Sequence, residues 1–300
     1  MSASSPVPPA GPGAAARRFD LTCSASTLRG AGLSTRLRAA ADAGFSGLGL
    51  KLGDHRDSGL SESGLRSALE EHGLRILELE HSWDWVEPIP DPAEAELWRL
   101  AESVGFRQLN VSMFAEYETT ALVDAFGRLC DRAARYGVLV GLEFLPFTAV
   151  RTLRYAWEIV RAAGSANAGI VLDVWHWRRS AATLRDLAAV PPERVTSLQL
   201  CEARTDALPD LKYEARHHRE LPGHGAGAAG GTAAFVAALK EHGIGCPVSV
   251  EVFSDDLDAL PAARAAAVAA AAGAEVLAAA GWPAGRGWTT NLQRTKEGTG

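Results

Sequence analysis

Residues 170–179 read IVLDVWHWRR. A strand buried on both faces stays apolar until it reaches solvent. An acid, a histidine and two tryptophans packed into Asp173–Trp177 therefore mark the C-terminal end of such a strand, at the rim of a parallel sheet where sites gather.

Outward from that stretch, short β-branched or leucine-rich runs recur, each followed by a helical pattern, which is the signature of βα units around a parallel sheet. The strand candidates are FDLTCSA from Phe19, GLGLKLG from Gly47, RILELEH from Arg75, QLNVSM from Gln108, VLVGLEFL from Val138, GIVLDVW from Gly169, VTSLQLC from Val195 and PVSVEVF from Pro247. Between them lie helices such as STRLRAAADAG from Ser34, LSESGLRSALEEHG from Leu60, TTALVDAFGRLCDRAARYG from Thr119 and GTAAFVAALKEHG from Gly231. Gly44, Gly73, Gly137 and Gly243 fall where left-handed helix caps fit. Eight such alternations favour a single closed (β/α)8 TIM barrel, of class α/β, over a doubly wound open sheet; strand count is what separates the two.

The 300 residues allow one barrel domain, expected over 18–281. The small, proline-rich start predicts a disordered tail over 1–17, and the glycine-rich polar end a mobile tail over 282–300. No apolar core follows Arg17-Arg18, so a signal peptide is not expected, and the alanine-rich stretch 262–280 is interrupted by Arg264, Gly273 and Glu275. Four widely spaced cysteines, Cys23, Cys130, Cys201 and Cys246, suggest neither a zinc knuckle nor a disulfide framework, so a reducing cytoplasm is the default. A formal charge of −6 gives no electrostatic footprint for nucleic acid. A small-molecule substrate is expected, with neither nucleic acid nor membrane as partner; a homo-oligomer stays open.

Catalytic groups of a barrel come from the C-terminal ends of several strands. The last four strands each carry a polar residue there: Glu143, Asp173, Gln199 and Glu251. One strand-end acid alone is most often ion-paired with a lysine or arginine. Three converging acids after apolar approaches repel one another unless a proton or cation neutralises them, and a divalent ion does so economically. Three carboxylates and an amide oxygen suit Mg²⁺ or Mn²⁺ better than a thiolate-preferring metal, with Co²⁺ and Zn²⁺ as further candidates.

The order Glu143, Asp173-x-x-His176, Gln199, Glu251, with RELPGHG from Arg219 after the seventh strand, resembles the xylose-isomerase-like TIM-barrel superfamily. More narrowly it is similar to the sugar phosphate isomerase/epimerase branch, which includes ketose 3-epimerases, inosose dehydratase and 3-dehydroshikimate dehydratase. The resemblance spans about residues 19–281, with its specific motifs in the second half. It implies one divalent metal held by Glu143, Asp173, Gln199 and Glu251, a substrate-binding histidine at His176, and an arginine at Arg219 ahead of the Pro-Gly turn. Family epimerases usually have histidine where this chain has Gln199, whereas dehydroshikimate dehydratases use glutamine. The turn commonly reads P-G-E-G or P-G-K-G, and here His224 takes the variable place.

Chelation by a substrate carbonyl and a neighbouring hydroxyl would acidify the carbon between them, giving a metal-stabilised enediolate. The resemblance makes Glu143 and Glu251 the flanking pair, one removing a proton and the other returning one. Reprotonation on the opposite face gives epimerisation, and loss of a β-hydroxyl gives dehydration. His176 could hold a substrate oxygen or protonate a departing hydroxyl. Arg219 could hold a carboxylate or phosphate. Trp83, Trp175, Glu80 and His81 are further candidates for substrate contact, and Asp54 and His55 weaker ones; tryptophan is equally an ordinary filler of barrel rims. The expected activity is thus a metal-dependent sugar or cyclitol isomerase/epimerase, with a dehydratase (lyase) as alternative. An abasic-site endonuclease or a non-catalytic barrel is a more distant one. GAGAAG from Gly225 follows no strand and so lacks the context of a dinucleotide fingerprint.

Overall fold

The computed structural model describes residues 19–81, 83–87, 92–224, 231–285 and 287–290. The expected N-terminal tail and the GAGAAG loop lie outside them. Eight parallel strands close on themselves in sequence order: β1 (Thr22–Cys23), β2 (Gly47–Lys51), β3 (Arg75–Glu80), β4 (Phe106–Val111), β5 (Leu139–Glu143), β6 (Ala168–Asp173), β7 (Val195–Leu200) and β8 (Val248–Val250). The ring shuts where Thr22 pairs Ser249 and Cys23 pairs Val250. The barrel expected from the alternation is therefore present, with first and last strands shorter than their apolar runs.

Helices α1 (Leu33–Ala43), α3 (Glu62–His72), α4 (Pro92–Ser103), α5 (Thr119–Ala134), α6 (Leu153–Ala163), α10 (Gly231–Glu241) and α12 (Ala262–Ala279) form the outer layer. The short α2 (Leu52–Ser58), α7 (Val174–Arg179), α8 (Leu184–Leu187), α9 (Leu211–His217) and α11 (Asp255–Asp258) lie on the connections. Gly44 at φ 91° and Gly73 at φ 63° turn the chain out of α1 and α3, and Gly137 and Gly243 also have positive φ, as expected. The alanine-rich α12 has the length and composition of a membrane span, yet half of it is buried and it packs on α1, α10 and β1 as a barrel helix. Trp282 and Trp288 are buried, and the Arg75 guanidinium lies 4.2 Å from the Trp288 ring. Contact with the barrel therefore continues past residue 281.

Barrel interiors are usually filled by branched apolar side chains. Here a fully buried polar layer crosses the lumen instead: Glu78 on β3, Gln108 on β4, Ser197 on β7 and Ser249 on β8. Gln108 Nε2 donates to Ser197 Oγ at 2.8 Å and to Asn110 Oδ1 at 2.7 Å. The β6–β7 side is packed to backbone contact: a Cβ on Gly169 would meet Thr196 Cγ2 at 2.2 Å and the Arg194 carbonyl oxygen at 2.7 Å. Gly169→Ala is expected to lose about 1–3 kcal/mol. Gly127→Ala in α5, where nothing lies within 4 Å of the new carbon, is expected to gain up to about 1 kcal/mol. Denaturant unfolding of both variants checks the contrast; equal effects would refute it.

Candidate active site

The mouth of the barrel is built from strand ends. Glu143 and Asp173 are the last residues of β5 and β6, Gln199 is the penultimate residue of β7, and Glu251 follows β8. Glu143 and Glu251 line a cavity of about 360 Å³ together with Lys51, Glu80, His176 and Arg219, with Phe114, Phe147 and Phe253 as apolar walls; Asp173 and Gln199 are buried and do not line it.

The apolar run of β6 extends in sequence to Trp175, but the strand stops at Asp173 and a helix starts at once. The cause is a cap: Asp173 Oδ1 accepts the His176 backbone N–H at 2.8 Å. The three-residue spacing of Asp173 and His176 is thus a helix start that also returns the imidazole to the mouth. The other Asp173 oxygen, Oδ2, accepts from Arg219 Nη1 at 2.7 Å, and the same Nη1 donates to Glu251 Oε2 at 3.0 Å. Arg219 Nε donates to the Ala215 carbonyl, and the guanidinium lies between the Phe253 and Trp175 rings, 4.8 and 5.7 Å from their centroids. The groups that Arg219 holds are therefore the protein's own carboxylates.

Ser24, at the end of the first strand, donates to Glu251 Oε1 at 2.9 Å. Burial holds the Glu143 carboxyl well above its usual range, and the Glu251 and Asp173 charges add to the shift. Burial likewise raises Glu251, against the pull of Arg219. It pushes Glu80 up to about 7, opposed by Lys51, and Glu78 up to about 8, reinforced by the Glu80 and Glu251 charges. His176 is held well below the normal histidine range by burial and then by Arg219, so the imidazole is neutral near pH 7. Its Nε2 stands 3.4 Å from Glu143 Oε1 and receives Arg219 Nη2 at 3.3 Å. The donor atoms of Glu143, Asp173 and His176 lie within 4.8 Å of one another, a spacing that one ion can bridge.

A model of the family described as xylose isomerase-like TIM barrel matches residues 37–280. The chain belongs to this family. The 3-dehydroshikimate dehydratase of Pseudomonas aeruginosa is 35% identical to this xylose isomerase-like barrel over 153 residues, 51% of this chain and 24% of that protein. The inosose isomerase of Halalkalibacterium halodurans is 33% identical over 145 residues, 48% of this chain and 49% of that one. The aligned segments thus span about a quarter of the dehydratase and about half of the isomerase. The solved IolI protein with a bound zinc atom superposes with a TM-score of 0.74 at 21% identity, covering 87% of this chain and 98% of that one.

Whether the barrel's donor set fits a divalent ion turns on one atom. Gln199 is 1% exposed, and its Oε1 is buried with no hydrogen-bond partner among the described residues. A buried amide oxygen without a donor is costly unless a cation takes its lone pairs. Gln199 pairs with Asp173 across β6 and β7, and its amide nitrogen lies 3.3 Å from Glu251 Oε1. Together with the Glu143, Asp173 and His176 cluster, this is a set that a divalent metal fits.

The structure brings together Glu143, Asp173, His176, Gln199, Arg219 and Glu251, and places Glu80 in the cavity wall. Trp175 is a correction to the expected substrate contacts: it is fully buried, does not line the cavity, and its indole N–H donates to Glu214 Oε1 at 3.0 Å. Adjacent residues of a helix face different ways, so Trp175 backs Arg219 while His176 faces the mouth. Trp83 stacks on His81 with centroids 5.1 Å apart, and neither lines the cavity. Asp54 is tied to Arg36 at 2.8 Å and accepts the Lys51 backbone N–H, and it does not line the cavity. Sequence reasoning missed Lys51, Glu78 and Ser24. The signal for Lys51 was a lone charge at the end of GLGLKLG, and for Glu78 its two-residue spacing from Glu80.

Proposed function

We propose that the protein is a divalent-metal-dependent isomerase or epimerase of a small polyhydroxylated carbonyl compound, a sugar or cyclitol, with Mn²⁺ or Mg²⁺ held by Glu143, Asp173, Gln199 and Glu251. The observation that carries it is the buried, unpartnered oxygen of Gln199, whose amide nitrogen contacts Glu251 in the wall of a 360 Å³ cavity that Glu143 also lines. A bound divalent ion would supply the positive charge that makes a hydrogen beside a carbonyl removable near neutral pH. Glu143 opens onto the cavity and removes that proton, and Glu251, from β8, returns one from the other side. Neutral His176 presents a ring nitrogen to a substrate hydroxyl. Phe114, Phe147 and Phe253 exclude water around the reacting carbon. Arg219 keeps Asp173 and Glu251 in register, and Lys51 offsets the acidity around Glu80. With four free thiols, three of them buried, we place the enzyme in the cytoplasm.

A second reading, dehydration of a cyclic hydroxy-ketone, is favoured by Gln199 and by the likeness to the dehydratase. There the same proton removal is followed by loss of a hydroxyl, with His176 positioned near Glu143 to guide the departing oxygen. Protein loaded with Mn²⁺ in D₂O, incubated in turn with ketohexoses, inososes and 3-dehydroshikimate, separates the readings. Deuterium at the carbon beside the carbonyl, with a new epimer or isomer in the NMR spectrum, supports the first. A rise of aromatic ultraviolet absorbance without epimer supports the second. Absence of both deuterium exchange into these compounds and any dehydrated product would overturn both readings.

A further inference from the structure

We propose that Glu78 is a positioning residue: it fixes the amide of Gln199 so that the oxygen, and not the nitrogen, faces the cation site. The inference rests on the metal-dependent reading above. Glu78 is fully buried on β3, two residues before Glu80 and on the same inward face, so its carboxyl lies one layer below the cavity floor. Gln199 Nε2 donates to Glu78 Oε2 at 3.1 Å and to Glu251 Oε1 at 3.3 Å. Both amide hydrogens are thereby directed at carboxylate oxygens, and Oε1 is left as the atom without a partner.

A glutamine amide has two orientations related by a half turn, one presenting acceptors and the other donors. Turned the wrong way, Gln199 would offer N–H groups to a cation and abolish one ligand. Glu251 alone does not select the orientation, because it is itself one of the proposed ion ligands, and its oxygens are shared with Ser24 and Arg219. Glu78 is not among those ligands. Ser249 Oγ lies 3.3 Å from its Oε1, and the walls of the lumen enclose it. Even when the carboxyl carries a proton, Ser249 is there to accept it from Oε1, and Oε2 still accepts from Gln199. The polar layer in the barrel is thus the support of the site above it. Partners of ligands in metal sites typically change affinity 10- to 100-fold when removed.

The test is a calorimetric Mn²⁺ titration of chelator-treated protein, with the electron paramagnetic resonance spectrum of bound Mn²⁺ as a second readout. Glu78→Met is expected to weaken Mn²⁺ binding about 10- to 100-fold and to alter the spectrum. Glu78→Gln, whose carbonyl can accept the same amide hydrogen, should recover most of the affinity. In a Gln199→His background, where there is no amide to orient, Glu78→Met should change affinity less than about threefold, giving a non-additive double-mutant cycle. Glu78→Ser takes the place of the methionine variant if that one does not fold. Equal losses in both backgrounds, or none in either while the native protein binds Mn²⁺, would overturn the role of Glu78 alone. A native protein that binds no Mn²⁺ would overturn the metal-dependent reading itself.

Discussion

Asp173→Asn lowers the stability of the ion-free protein by about 3–5 kcal/mol and removes specific divalent-ion binding. Asp173 is fully buried and both oxygens are used: Oδ1 caps α7 through the His176 N–H, and Oδ2 takes the Arg219 guanidinium. Asparagine retains only one acceptor oxygen. If that oxygen keeps the cap, the amide nitrogen faces Arg219, donor against donor. If it keeps Arg219, the start of α7 loses its cap, which by itself costs about 1 kcal/mol. Either way a buried guanidinium loses half of its compensation, because Glu251 Oε2 is its other carboxylate partner. Chemical denaturation after treatment with a chelator measures the loss, and a change below about 1 kcal/mol would show that Asp173 is not a structural keystone of the mouth.

The same residue shows what the sequence could and could not convey. That a parallel strand ends near Asp173 was readable, because a buried run of Ile170, Val171 and Leu172 gives way to polar groups. That the chain turns helical at the next residue was not, since the side chain is both cap and site acid and an apolar Val174 follows without punctuation. This is why Trp175 reads as a rim residue and is in fact packed behind the site. The four acceptors on successive strands were legible because a side chain with an acceptor oxygen, Glu143, Asp173, Gln199 or Glu251, recurred at one place in the repeat. Glu78 was not, because an acid alternating with leucines in RILELEH has the pattern of a half-solvated strand, and only barrel closure turns that face into the lumen. Lys51 was hidden for the opposite reason. A single lysine at a strand end has the ordinary pattern of a solvated terminus, and its place in the cavity depends on a contact with the turn after β1: its Nζ donates to Ser26 Oγ at 2.9 Å.

Glu143→Gln should behave in the opposite way to Asp173→Asn, although both remove a carboxylate from one cluster. Glu143 has 17% of its side chain exposed to the cavity, and its contact at 3.4 Å is to a histidine that burial keeps neutral. No cation within ion-pairing distance holds it among the described residues; Arg219 is committed to Asp173 and Glu251. Its carboxyl is held well above the usual range by burial and by those same two acids, so ionising it costs the fold free energy. An isosteric amide escapes that cost. The ion-free variant is therefore expected to be as stable as the native protein or more so, by up to about 1 kcal/mol, while proton removal from carbon slows by about 10²–10⁴-fold. A stable but inactive barrel would identify Glu143 as a group kept at the expense of stability for what it does to substrate. The deuterium-exchange rate in D₂O and a denaturation curve decide it. Exchange within tenfold of native would remove Glu143 from the proton path, and a stability loss as large as that of Asp173→Asn would make it a structural acid.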